Sequence, residues 1–223
     1  MVQLSPSLSV MVQFEPYLLQ NARWPSAGRH ILAQFDAESV VVYQAFRPAI
    51  AEEAVALQRF GPSFSLSRMS WIKPNFLWMM FRCGWATKPD QERVLALRLR
   101  RAFFDRLLSA AVPSTFSANA WPSAQAWQDA VRRSDVRLQW DPDHGPTGNP
   151  VARRAIQLGL RGATLTEFAG PALLQVEDLT HFVARERDHA VPPYELLQTP
   201  SESVFQPQDP ATAAALGLDA WPA

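Results

Sequence analysis

Ile31-Leu32-Ala33-Gln34-Phe35 and Val40-Val41-Val42-Tyr43-Gln44-Ala45-Phe46, separated by Asp36-Ala37-Glu38-Ser39, decide the fold class. Both runs are rich in β-branched and aromatic residues, and a short polar link between two such runs reads as a hairpin. A chain that opens its structured part with antiparallel strands does not build a purely parallel, doubly wound sheet. Working outward, Pro48 suits the first turn of a helix whose stripe is Ile50, Ala54, Val55 and Leu57, and Gly61-Pro62 ends it. A short extended piece over residues 69–72 follows. Pro74 then opens a helix with Phe76, Leu77, Met80 and Phe81 inside and Gly84 as its stop.

Residues 92–99 alternate and read as a central strand, and residues 102–112 read as a helix facing inward with Phe103, Phe104, Leu107 and Leu108. Ser123 caps a helix running to Arg133. Strands follow at 136–140, 154–160 and 173–177, and Asp178 and Thr180 start a last helix. The expected architecture is α+β, a mixed, largely antiparallel sheet with flanking helices. The expected organisation is a flexible arm over residues 1–28, one domain over 29–190 and a proline-rich tail over 191–223.

The bulk numbers fit a folded globule: 223 residues, 48% hydrophobic and 19% charged. Lysine plus arginine (21) equal aspartate plus glutamate (21), so no whole-molecule field draws in nucleic acid or an anionic membrane. Lys73 and Lys88 are the only lysines, and the arginine bias favours bidentate contacts to carboxylate or phosphate. The single cysteine, Cys83, excludes an intramolecular disulfide and reads as a small buried hydrophobe. The N-terminus lacks the basic start and apolar run of a signal peptide, and no window reaches a membrane-spanning length; the default expectation is a cytoplasmic protein. His30, His144, His181 and His189 have no metal-ligand spacing, so no metal site is expected. The nine glycines form neither the Walker nor the dinucleotide loop.

Several strings resemble the family called domain of unknown function 4291. They are Val42-Tyr43-Gln44-Ala45-Phe46, Met69-Ser70-Trp71-Ile72-Lys73-Pro74 continuing through Phe76-Leu77-Trp78-Met79-Met80, Gly84-Trp85-Ala86-Thr87-Lys88 and Gln91-Glu92-Arg93-Val94-Leu95-Ala96. Residues 136–142 and Ala155-Ile156-Gln157-Leu158-Gly159-Leu160 extend the likeness, which covers about residues 29–185. The chain departs from the pattern at Leu32, where the resemblance implies arginine, and at Asn75, where it implies serine. The resemblance brings no activity with it.

The segment 68–88 carries the strongest candidate site. It sets Arg68, Lys73, Arg82 and Lys88, with Ser70, Asn75 and Thr87, among Trp71, Trp78 and Trp85, and cations beside aromatic faces can hold a nucleotide by phosphate and base together. The competing reading makes the tryptophans core and sends Lys73 out to solvent. Tyr43 and Gln44 on the hairpin strand form a second candidate. Arg154 and Gln157 form a third, although their opposite parity on a strand keeps them from sharing one pocket without a bulge. Glu177, at the end of a late strand, is the carboxylate singled out for catalysis.

The order of elements is also loosely similar to the ADP-ribosyltransferase layout, a split sheet that grips NAD. That likeness implies Tyr43, Gln44 and Lys73 holding NAD or another nucleotide, with Glu177 stabilising a developing ribosyl cation. Two rival expectations stand beside it: a module for single-stranded nucleic acid using the same strip, or an adaptor whose exposed tryptophans bind a protein.

Overall fold

The computed structural model describes residues 12–222. The chain runs β1 (Phe14–Pro16), α1 (Tyr17–Asn21), β2 (Gly28–Arg29), β3 (Ile31–Ala33), β4 (Ser39–Phe46), α2 (Pro48–Leu57), β5 (Ser70–Ile72), α3 (Phe76–Cys83), β6 (Arg93–Arg100) and α4 (Arg101–Ala110). It continues with β7 (Val112–Pro113), α5 (Ala124–Arg133), β8 (Val136–His144), β9 (Pro150–Leu160), α6 (Gly162–Phe168), β10 (Leu173–Asp178), α7 (Thr180–His189), β11 (Gln198–Pro200), β12 (Ser203–Phe205) and α8 (Pro210–Leu216). The fold is α+β, as the opening strands imply, and its strand pairs are mostly antiparallel; β2 with β9 and β7 with β8 are the parallel ones.

Two sheets frame the molecule. In the first, β6 lies between β10 and β4, antiparallel to both. Its strands are buried on both faces: Val40, Val42, Leu95, Leu97 and Val176 enter one core, while Val41, Tyr43, Val94 and Ala96 enter the other. Period-2 alternation therefore sorts residues between two cores instead of between core and water. α2 and α4 cover the first core through Ala51, Ala54, Phe104 and Leu107. α3 and α7 cover the second through Phe76, Met80 and Val183. The second sheet runs β2-β9-β8-β7, with β5 also paired to β9. Val136, Leu138, Ile156, Leu158 and Leu160 turn one of its faces into the first core.

The expected hairpin is realised only at its tip. Phe35 bridges Val40, and the Asp36 amide donates to the Ser39 carbonyl at 3.0 Å, but β3 then leaves β4 and pairs with β12. β3 is buried on both faces there, with Ile31 and Ala33 in one core and Leu32 in the other. Leu32, where the family resemblance implies arginine, is 2% exposed and packs in the second apolar core.

The segments read as arm and tail are joined to each other. β1 pairs with β11, and Gln20 of α1, fully buried, donates to the Thr199 hydroxyl at 2.8 Å. Past Pro192-Pro193 the chain forms β11, β12 and α8, with Phe205 and Leu216 in the first core. Residues 1–11 of the expected arm and Ala223 of the tail lie outside the described residues. The helix after Pro74 begins at Phe76, two residues later than expected. Asn75 is its N-cap, its Oδ1 accepting the Trp78 amide at 2.7 Å, and Pro74 precedes the cap. Asn75 thus does what serine would do at that position. Among the described residues no helix is long and apolar enough to cross a membrane, and no His/Cys/Asp/Glu group could hold a metal ion.

Candidate functional site

β4 is bonded to β6 along its whole length, but its other edge meets β5 at a single bridge. There the Tyr43 amide donates to the Lys73 carbonyl at 2.7 Å, and the Lys73 amide returns the bond at 3.3 Å. Beyond the bridge the strands part. Gln44 spans the gap, its Nε2 donating to the Ser70 hydroxyl at 2.8 Å and to the Trp71 carbonyl at 3.0 Å. The opening is a cavity of about 560 Å³, within the size range of small-molecule sites. Its walls are Gln44 and Phe46 from β4, Arg68 to Trp71, Lys73, Met79 and Arg82 from α3, and Gln139 and Gln157 from β8 and β9. A second hollow of about 390 Å³ shares Phe46, Arg68, Met69 and Ser70 with it and adds Arg47, Ile50, Phe64 and Asp90.

The cavity is cationic at its entrance and amide-lined at its base. Arg68 and Arg82 are exposed, and neither makes a side-chain hydrogen bond or ion pair among the described residues. Lys73 is 4% exposed and equally unpartnered at Nζ. Burial, reinforced by the Arg82 charge and opposed by Asp141, lowers its ammonium to about 8. Asp141 is held by neutral groups: Gln139 Nε2 donates to Oδ1 at 2.8 Å, and Gln157 Nε2 donates to Oδ2 at 2.7 Å. These two glutamines face each other across β8 and β9. Gln44 Oε1 is a buried acceptor without a donor. Each is a polar group that a bound molecule can satisfy, and burial without such a partner is costly.

Trp71 is held across β9 by a residue with no side chain. A Cβ on Gly159 would stand 2.8 Å from Met69 Sδ and 2.9 Å from the Trp71 ring, so the indole lies directly on the Gly159 backbone. That placement leaves the partly exposed Trp71 as an aromatic surface of the cavity, beside Phe46.

The structure thus brings Gln44, Arg68, Lys73 and Gln157 together. The other sequence candidates lie elsewhere. Tyr43 and Gln44 are consecutive on β4 and face opposite cores. Tyr43 is fully buried against Phe76, with ring centroids 5.4 Å apart, and burial pushes its phenol far above the usual value. Glu177 stands across Ala96 from Tyr43 on that same face, away from the cleft, and its Oε2 accepts the Val12 amide at 3.1 Å. Arg154 donates to the Trp140 carbonyl at 2.8 Å; the parity that separates it from Gln157 holds in β9. Trp78, 6% exposed, stacks on Phe81 and His144. Lys88 donates to the Arg82 carbonyl at 2.8 Å, covering the negative end of α3. Arg82, from the same basic and aromatic strip as Arg68 and Lys73, joins them in the cleft; Gln139 and Asp141 complete the site and were not singled out from sequence. A signal existed for both, since Arg137, Gln139 and Asp141 alternate with Val136, Leu138 and Trp140.

Comparison with family models matches residues 30–205 to Domain of unknown function (DUF4291). The match takes in every residue of the cleft, and the chain belongs to that family. Comparison with curated proteins returns no match.

Proposed function

We propose that this member of the DUF4291 family binds a phosphate-bearing small molecule of nucleotide size, NAD among the candidates, where β4 and β5 part. One observation carries the reading: Arg68, Lys73 and Arg82 converge on a single cavity with no carboxylate paired to any of them among the described residues. A buried cation such as Lys73 costs stability until an anion completes it, and guanidinium groups suit phosphate oxygens in pairs. Trp71 offers a face for a base, and the glutamines offer both donors and acceptors for its edge. The adjoining hollow, with Phe46, Phe64 and Arg47, gives room for a second part of an extended ligand.

A mononucleotide suits this geometry better than a nucleic-acid strand. Strand binders need a row of accessible aromatic faces, whereas Trp78 and Trp85 are 6% and 9% exposed. The same burial removes Trp78 and Trp85 from an adaptor's hot spot. Isothermal calorimetry with ADP, ATP and NAD, each against phosphate-free adenosine, tests the proposal. Saturable heats that require phosphate are expected, with Arg68→Ala and Arg82→Ala each weakening affinity roughly 10- to 100-fold, the value of one charge-assisted contact. Glu177→Ala serves as an off-cleft control. Absence of heat from every phosphate ligand at millimolar concentration overturns the reading.

A further inference from the structure

We infer that Lys73 is the nucleophile of the cleft and forms an imine with an aldehyde or ketone carried by the phosphate-bearing ligand. The inference rests on the cleft binding such a ligand and adds the chemistry of its reacting group.

The argument starts from how the chain treats its other buried cations. Arg153, 5% exposed, is met by Asp143 at 2.6 Å and by the Pro25 carbonyl at 2.6 Å. Arg137, 8% exposed, donates to the Ser134 carbonyl at 2.9 Å and to the Val131 carbonyl. Lys73 is as deeply buried as either, yet its Nζ has no partner among the described residues and the side chain lines the cavity. The choice of residue is informative too. Two of the twenty-one basic residues are lysines, and one of the two stands here. Arginine would anchor phosphate better, but only lysine can give up its proton and attack.

The surroundings suit that chemistry. The ammonium, lowered to about 8, supplies free amine near neutral pH. Arg68 and Arg82 remain for the phosphate, so a third cation is not required as an anchor. Asp141, fixed by Gln139 and Gln157, stands near enough to act electrostatically on Lys73. The neutral amine attacks the carbonyl carbon while the C=O π pair moves to oxygen, giving a carbinolamine. That oxygen leaves as water after gaining two protons, one from the former amine and one from solvent. A protonated C=N bond remains, and nothing is oxidised or reduced.

Pyridoxal 5′-phosphate is a suitable probe, with phosphate-free pyridoxal as its control. The wild-type protein is incubated with each at pH 7.5, reduced with cyanoborohydride and mapped by mass spectrometry. With only Lys73, Lys88 and the N-terminal amine available, the site assignment is direct. Modification of Lys73 at least about tenfold above Lys88 is expected, since reactivity follows the free-base fraction. Millimolar ADP should suppress it, and Arg82→Ala should reduce it toward the pyridoxal level. Lys73 reacting no faster than Lys88 overturns the inference. If ADP still binds calorimetrically, only the amine chemistry falls; if ADP also fails to bind, the cleft reading falls with it.

Discussion

Replacing Lys73 by methionine should stabilise the folded protein near neutral pH while removing its reaction with carbonyl ligands. An ordinary lysine titrates near 10.5, and Lys73 is lowered to about 8 by burial first and Arg82 second. That gap corresponds to roughly 3 kcal/mol of preference for the neutral amine over the ammonium in the folded state. The sign follows from proton counting. Below about 8 both folded and unfolded chains carry the proton, and the full penalty weighs on the fold. Between about 8 and 10.5 the unfolded chain binds more protons, so stability rises with pH. Methionine keeps an unbranched stem of similar volume and has no charge to bury. The advantage of Lys73→Met should therefore be about 3 kcal/mol at pH 7 and shrink as pH climbs through that window. For a chain of this length it is a rise of about 6–12 °C in Tm. Urea titrations followed by tryptophan fluorescence at pH 7, 8.5 and 10 measure it. A variant less stable than wild type at pH 7, or an advantage unchanged by pH, would show that the ammonium has a compensating partner and refute the reasoning.

Three further outcomes are expected. Gly159→Ala should cost about 1–3 kcal/mol and move the tryptophan emission, because the added Cβ meets the Trp71 ring at 2.9 Å; an unchanged denaturation midpoint would contradict this. Asn75→Ala should cost about 1–2 kcal/mol through loss of the cap to Trp78, while Asn75→Ser should restore most of it; equal losses in the two variants would rule out capping as the cause. Glu202 is 4% exposed, accepts the Phe76 amide at 2.7 Å and is raised well above 4.5 by burial. Its raised value gives the fold extra protons above pH 4.5, so this contribution to stability is complete on the acid side and fades as pH rises. Glu202→Gln has no proton to lose, and its stability relative to wild type should grow from pH 4.5 toward 8; parallel curves would count against a protonated Glu202.

Local signals in the sequence reached the elements but not their partners. Ser123 and Gly84 mark helix ends by chemistry confined to a few neighbours, and the structure has both, with Ser123 Oγ accepting the Ala126 amide at 3.1 Å. The pairing of Phe14 with Pro200 and of Leu32 with Val204 spans most of the chain and leaves no periodic trace. The proline-rich composition after residue 191 then suggested a surface tail where the chain in fact supplies β11, β12 and α8. At the site, the interleaving of cations with tryptophans found Arg68 and Lys73. It also gathered Trp78 and Lys88, which serve the packing and the end of α3. Strand parity separated Arg154 from Gln157, and the same rule separates Tyr43 from Gln44. What no local rule conveyed was the burial of Lys73, which depends on α3, β8 and β9 closing over it.

The position of the cleft follows from topology. β4 uses one edge for eight paired residues with β6, and the Tyr43–Lys73 bridge claims only one position on the other. A fully zipped β4–β5 ladder would have joined the two sheets and filled the gap with backbone. Instead β5 pairs with β9, and Trp71 is drawn onto Gly159 at a distance only glycine permits. β5 is thereby held away from Gln44–Phe46, and a side chain, that of Gln44, must make the bonds a ladder would have made. The same arrangement buries Lys73 at the hinge point, because its backbone belongs to the bridge while its side chain follows Trp71 toward the opening. A lysine so placed weakens the fold, since its charge is buried without a side-chain partner among the described residues. The two cores on either side of β6 are where such a loss can be absorbed, since they are built almost wholly of apolar side chains. Local conflict of this kind, next to otherwise consistent packing, is the physical mark of a binding site. The destabilisation by Lys73 and the supply of its free amine near neutral pH should accordingly be two readings of one buried group.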